Sequence, residues 1–183
     1  NTRLVIVCDP IYDFSGFDPD NQDALNEIDI LRNYMNRYDS SLLVVVVNLT
    51  PPLPALCEYM EEEFGLGYSA YSSVTDNTGS IKGSGGRQVL GVLPSSLDYS
   101  LDSRILSPFK GSERFVFTDA VRLTVSDSSA IQGEGVLVNS ASTAMADGKS
   151  GIYPLFSYTL NAKTITDPVT GDGTESKQYK TAY

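Results

Sequence analysis

Histidine is missing from all 183 residues, and so is tryptophan. Without an imidazole the chain has no Ser-His-Asp or Cys-His catalysis and no His-ligated zinc or iron. It also lacks the side chain best matched to proton transfer near neutral pH. Cysteine is almost missing: Cys8 and Cys57 make neither a disulfide framework nor a zinc-ligand spacing, and their apolar contexts read as two buried free thiols. Long apolar runs are lacking as well. The longest, residues 42–47, falls far short of the roughly 18 residues of a membrane-spanning helix. No charged-then-apolar leader precedes the first strand, and residue 1 is Asn rather than Met. Localisation is therefore left open, with a virion or an extracellular setting both compatible. Positive charge is scarce: 13 Lys and Arg face 23 Asp and Glu, for a net charge of −10. No basic stripe interleaved with aromatics is present, which argues against nucleic acid as a partner, and nothing points to a membrane.

What is present begins with a β-α-β-α pattern over residues 1–67. Residues 3–8 (RLVIVC) read as a first strand. A helix is expected from an N-cap at Asp20 to about Tyr38, because Leu25, Ile28, Leu31, Met35 and Tyr38 recur at the spacing of one buried face. Residues 41–49 (SLLVVVVNL) form a second strand whose unbroken apolar run suggests a parallel sheet covered on both faces. Thr50 then caps a short helix carrying Leu53, Leu56, Cys57, Met60 and Phe64, with Gly65 as its stop.

Past residue 67 the character changes. Residues 69–87 are rich in Ser, Thr and Gly and read as a long mobile loop. Short strands follow at 88–93, 114–117, 120–126, 133–139 and 152–163, the third alternating Val121, Leu123 and Val125 with polar residues. The expected fold is thus α/β or α+β: a βαβα layer with a partly parallel sheet, joined to a β-rich second half (68–163) in one compact domain, 1–163. Residues 164–183, poor in large apolar groups, read as an extended C-terminal arm.

The candidate catalytic residues are Asp9 and Asp13, placed after the first strand where many α/β enzymes keep a working carboxylate. The stretch LVIVCDPIYDF, followed by the Leu25–Tyr38 helix and LLVVVV, resembles the first βαβ unit of isochorismatase-like cysteine hydrolases. The shared features are Asp9, then Asp13 and Phe14 four and five residues on. The resemblance implies Asp9 as the general base of a triad with a lysine and a nucleophilic cysteine. It covers about the first 50 residues; no cysteine follows Cys57, and the motif's usual Gln position holds Ile11.

No cofactor or metal is expected. Asp18, Asp20 and Asp23 are close in sequence, but DPDNQD (18–23) lacks the glycine of an EF-hand loop, and its acids suit a helix N-terminus. One Gly between first strand and first helix is not a dinucleotide fingerprint. Gly148-Lys149-Ser150 follows Thr143 where a phosphate loop needs glycine. Loops at 69–87 and 140–151 and the arm's Ile165, Val169, Tyr179 and Tyr183 are left as partner-binding candidates, since an arm can order against a neighbour's sheet edge. The reading is a non-catalytic structural or assembly protein, of the kind found as a virus or phage particle subunit, binding copies of itself or other subunits. A divergent isochorismatase-like hydrolase using Asp9, and an exported carbohydrate- or protein-binding module, stand as alternatives.

Overall fold

The computed structural model describes residues 4–16, 20, 26–36, 40–93, 112–125, 134–165 and 175–182, with backbone alone for 134–137, 158–165 and 175–182. The N-terminal half is β1 (Leu4–Cys8), α1 (Glu27–Met35), β2 (Ser41–Val45) and α2 (Pro54–Phe64). The β-rich half contributes β3 (Leu66–Ser73), β4 (Gln88–Val92), β5 (Phe115–Thr118), β6 (Val121–Val125), β7 (Glu134–Ser140), β8 (Ala144–Ala146), β9 (Lys149–Gly151), β10 (Pro154–Ile165) and β11 (Glu175–Ala182). The mixed α/β architecture expected from the sequence is therefore present.

Both helices follow from local chemistry. Helix α1 buries Ile28, Leu31, Tyr34 and Met35 on one face. Its N-cap is Asn26, whose side-chain oxygen accepts from the Asp29 N–H at 2.9 Å, and not Asp20. A carboxamide placed three residues before a free N–H meets the geometric demand of the first turn, which Asp20 is too distant to meet. Leu25 and Tyr38 lie outside the described residues. Helix α2 starts with Pro54, whose missing N–H is no loss at that position, and ends at Gly65 with φ 66°, donating back to Glu61 and Met60. Glycine adopts that left-handed conformation without a Cβ clash.

One seven-stranded sheet runs in the order β1-β2-β11-β10-β7-β4-β5, and two-stranded pairs are made by β3-β6 and β8-β9. Strands β1 and β2 are parallel, with Leu4 opposite Ser41 and Cys8 opposite Val45. Strand β11 is parallel to β2, pairing Lys180, Thr181 and Ala182 with Ser41, Leu42 and Leu43. On its other edge it is antiparallel to β10, where Ile165 meets Glu175 and Asn161 meets Tyr179. Residues 175–182 thus form a sheet strand: all eight pair with β10, and 180–182 pair with β2 as well. Val169 and Tyr183 lie outside the described residues. Strands β10, β7, β4 and β5 continue antiparallel. The sheet curls, so that the β5–β6 turn meets the loop after β2 through Asn48 N–H to Asp119 C=O at 2.8 Å.

Two apolar clusters fill the interior. The first joins both helices to Leu42 and Val44 of β2, Leu66 of β3, and Val121 and Leu123 of β6. The second joins Val74, Val89, Val138, Ala144, Ala146 and Leu155. Close packing leaves no room at Gly91, where a Cβ would stand 2.5 Å from Val138 Cγ1 and 2.8 Å from Phe117 Cε2. Strand β2 departs from the expectation of two covered faces. Leu42 and Val44 are 1% and 0% exposed, whereas Val45 is 36% exposed. In β1, Leu4 and Ile6 are 48% and 58% exposed. The two helices cover only one side of this part of the sheet.

The expected long loop at 69–87 is also corrected. Residues 69–73 belong to β3, and residues 74–87 are tied down by backbone bonds, among them Val74 N–H to Ala120 C=O at 2.8 Å and Asp76 N–H to Gly86 C=O at 3.0 Å. Likewise residues 144–151 are the β8–β9 hairpin, turning at Asp147 (φ 51°) and Gly148 (φ 70°). An Asp-Gly pair with two positive φ values is the preferred two-residue hairpin turn. Buried backbone groups must be paired, and here polar turn sequences pair them. Removing residues 164–183 takes away an interior strand of the sheet. We expect the shortened chain to lose its cooperative urea transition, which circular dichroism would show.

Candidate functional site

The ends of β1 and β2 bring together Asp9, Asp13, Thr50 and the N-terminus of α2. Asp9 has φ 44°, a left-handed conformation that Asp tolerates better than most residues. Its N–H donates to Val45 C=O at 2.8 Å, and its Oδ1 accepts from Thr50 Oγ1 at 2.6 Å. Thr50, fully buried, in turn accepts the Val47 N–H on the same hydroxyl at 2.9 Å. Thr50 is thus a brace between the two strand ends, and the expected helix cap is elsewhere.

That cap is Asp13. The N-cap position of α2 is Leu53, which has no side-chain acceptor, and Pro54 has no N–H to offer. The first two free N–H groups, on Ala55 and Leu56, donate to Asp13 Oδ2 and Oδ1 at 2.8 and 3.2 Å. Oδ1 also accepts the N–H of Phe14 at 2.8 Å. One carboxylate from another segment neutralises the positive end of the helix dipole and satisfies its orphan donors. The site where an anionic ligand would sit is filled by the protein's own anion.

Cys57, one turn into α2, is half-buried, and Cys8 is exposed. Both are free thiols; Cys8 corrects the expectation of two buried ones, because it points to the uncovered side of β1. Burial, then the charge of Glu61, pushes the Cys57 thiol above its usual value, and Asp13 adds to the rise against hydrogen bonds that oppose it. Tyr68, whose hydroxyl donates to Pro51 C=O at 2.6 Å, is raised too, first by burial and then by Cys57. A thiol held protonated at neutral pH is a poor nucleophile. No lysine is paired with Asp9 or Asp13 among the described residues. The structure therefore places Asp9 and Asp13 together without supplying a triad. A shallow cleft of about 360 Å³ lined by Pro10, Ile11, Tyr12, Asp13, Phe14 and Glu27 lies beside them. No group of three or more Cys, Asp or Glu able to hold a metal occurs among the described residues. Asp18 and Asp23 lie outside them.

A second polar centre was not anticipated. Asp76 is 1% exposed, and its Oδ1 accepts from the N–H groups of Thr78 and Gly79 at 2.8 and 2.7 Å and from Thr78 Oγ1 at 3.0 Å. Ser142 Oγ donates to its Oδ2 at 2.5 Å. Burial alone would raise this carboxyl, but the Ser142, Gly79 and Thr78 donors outweigh it and hold it below its usual 3.8. The stretch Thr75-Asp76-Asn77-Thr78-Gly79 is an Asx-turn signal that could have revealed it. Nearby, Arg87 pairs with Asp119 at 2.6 Å, and Ser72 Oγ donates to Asp147 Oδ2 at 2.6 Å, fastening the turns to each other.

On the side of the sheet away from the helices, Ile6 stands opposite Leu43 and Cys8 opposite Val45. This apolar surface runs into a groove of about 260 Å³ whose lining includes Leu43, Val45, Val116, Phe117, Leu155 and Phe156. Neither a protein-family model nor a curated relative matches the sequence. A solved structure described as "mmIFT52 N-terminal domain" is similar with a TM-score of 0.53 and 14% identity over 98% of this chain. The chain spans 64% of the length of that structure. At that identity the likeness is one of fold.

Two tests follow from these networks. Asp13→Ala should lower stability by about 0.5–2 kcal/mol, the usual cost of a lost helix cap, read as a shift in urea midpoint. Because the folded Asp76 carboxyl sits below 3.8, its stabilising effect is complete above that value and fades as pH falls through the lower folded value. Asp76→Asn should flatten this part of the acid limb of a stability-versus-pH curve.

Proposed function

We propose that this chain is a non-catalytic assembly module that works by binding other proteins. The observation that carries the reading is the uncovered apolar side of β1 and β2. A parallel sheet in an α/β layer is ordinarily covered on both faces, yet Leu4, Ile6 and Val45 are 48%, 58% and 36% exposed. A contiguous apolar patch of this kind marks an interaction surface more often than scattered exposed residues do. The strand-end acids support the same reading from the other direction. Asp9 is bonded to Thr50 and Asp13 caps α2, so the position where a hydrolase would keep its base serves the fold instead.

Ile165, Val169, Tyr179 and Tyr183 are retained as partner-contact candidates. Point substitutions suit them better than truncation, because truncation removes a paired strand. The likeness to the mmIFT52 domain supports the fold on which this surface is built. Nothing in the fold points specifically to a virus or phage particle.

Native purification of the tagged full chain tests the reading. A stoichiometric protein complex should be recovered, lost on Leu4→Lys with Val45→Lys and kept on Asp9→Asn. Amide or ester hydrolysis that disappears with Asp9→Asn would overturn it in favour of an enzyme.

A further inference from the structure

Among the described residues, Asp9, Tyr71, Asp119 and Asp147 have positive φ without being glycine. Aspartate enters that region with little penalty, whereas a bulky aromatic there is an outlier that costs stability. Tyr71 has φ 61° and is 61% exposed, so burial of its own ring does not offset the cost. Its hydroxyl has no hydrogen-bond partner among the described residues. A glycine would take the same conformation without a Cβ clash.

The fold imposes this conformation. In the β3-β6 pair Tyr68 lies opposite Leu123 and Ser73 opposite Val121, so residues 69–72 face Arg122 alone. Extra residues on one strand of a pair must pouch out of the ladder. Both ends of the pouch are pinned, by the Tyr68 hydroxyl on Pro51 C=O at 2.6 Å and by Val74 N–H on Ala120 C=O at 2.8 Å. Next to Tyr71, Ser72 is 4% exposed and donates through Oγ to Asp147 Oδ2 at 2.6 Å. Arg122 Nη1 approaches the same oxygen at 3.5 Å. Ser72 is thereby fixed inward and Tyr71 outward.

We propose that Tyr71 is a second protein-contact residue of this chain, held outward so that its ring enters an apolar pocket on a folded partner. Strain that the chain's own packing does not offset is characteristic of binding sites. A tyrosine with few rotatable bonds and an arginine close by is the composition of a protein hot spot. Polyanions fit poorly, because Arg122 is already paired with Asp147 and the chain carries a net charge of −10. The residue lies on β3, apart from the β1-β2 surface named above, and the inference rests on the same assembly reading.

Oxidative footprinting and a glycine variant of the full chain test it. In the native complex, hydroxyl-radical oxidation of Tyr71 should fall several-fold relative to the free chain. Tyr71→Gly relaxes the backbone and removes the ring. Its thermal midpoint should rise by about 2–4 °C, while a protein is lost from the complex. Equal oxidation of Tyr71 in the free chain and the complex overturns the inference. So does a complex unchanged by Tyr71→Gly, or a midpoint that falls. Protection of Tyr71 by a soluble oligosaccharide, and not by protein, overturns it in favour of a glycan contact. A complex that survives these failures and still depends on Leu4 and Val45 leaves the assembly reading standing. If the unaltered chain recovers no complex, that reading fails and this inference with it.

Discussion

Residues 175–182 lie between the parallel pair β1-β2 and the antiparallel run β10-β7-β4-β5, and hydrogen bonds on both their edges turn two sheets into one. The direction of β11 makes this possible, since it runs parallel to β2 and antiparallel to β10. Within the sheet, β11 is the link between the helical half and the curled half, beside the apolar cluster that joins both helices to Leu66, Val121 and Leu123. With it in place, the loop after β2 can reach the β5–β6 turn through Asn48 and Asp119. The apolar groove between Leu43 and Phe117 is formed by the same closure.

Carboxylates hold most of the remaining joints. Asp13 closes the start of α2, Asp9 links the ends of β1 and β2 through Thr50, and Asp76 gathers four donors inside its turn. Asp9, Asp119 and Asp147 all have positive φ, so backbone conformation as well as charge favours aspartate there. Helix packing uses the same means: Arg32 bonds Asp29 at 2.8 Å and Glu63 at 3.3 Å, and lies 5.5 Å from the centre of the Tyr59 ring. An acidic chain without histidine has thus placed acids where they accept from backbone donors. That is why an acid after the first strand is weak evidence for catalysis in this molecule.

Much of the architecture was legible in advance because periodicity is a local property. The alternation of Val121, Leu123 and Val125, the spacing of Ile28, Leu31 and Met35, and the stop at Gly65 all reappear in the structure. Three other features depend on partners distant in sequence. Thr50 looked like a cap because a helix-spaced apolar pattern follows it, but α2 starts at Pro54 and the acceptor of its hydroxyl, Asp9, is 41 residues away. The Ser/Thr/Gly stretch looked mobile because it lacks apolar periodicity, while its order comes from Asp76 and from Ser142, 66 residues on. The apolar run in β2 implied two covered faces. Sequence shows which residues could be buried, but only the fold shows that Leu4, Ile6 and Val45 stay exposed on the side away from the helices.

The place of β11 at the far end of this sequence also sets a timetable. Until residues 175–182 have been synthesised, β2 has β1 on one side and an open edge on the other, and β10 lacks one neighbour. Contacts between residues 41–43 and 180–182 close over nearly the whole described chain, and such non-local closure slows folding. Nascent chains therefore pass through a period with two unsatisfied strand edges and an apolar sheet face in view, a state prone to association with other chains.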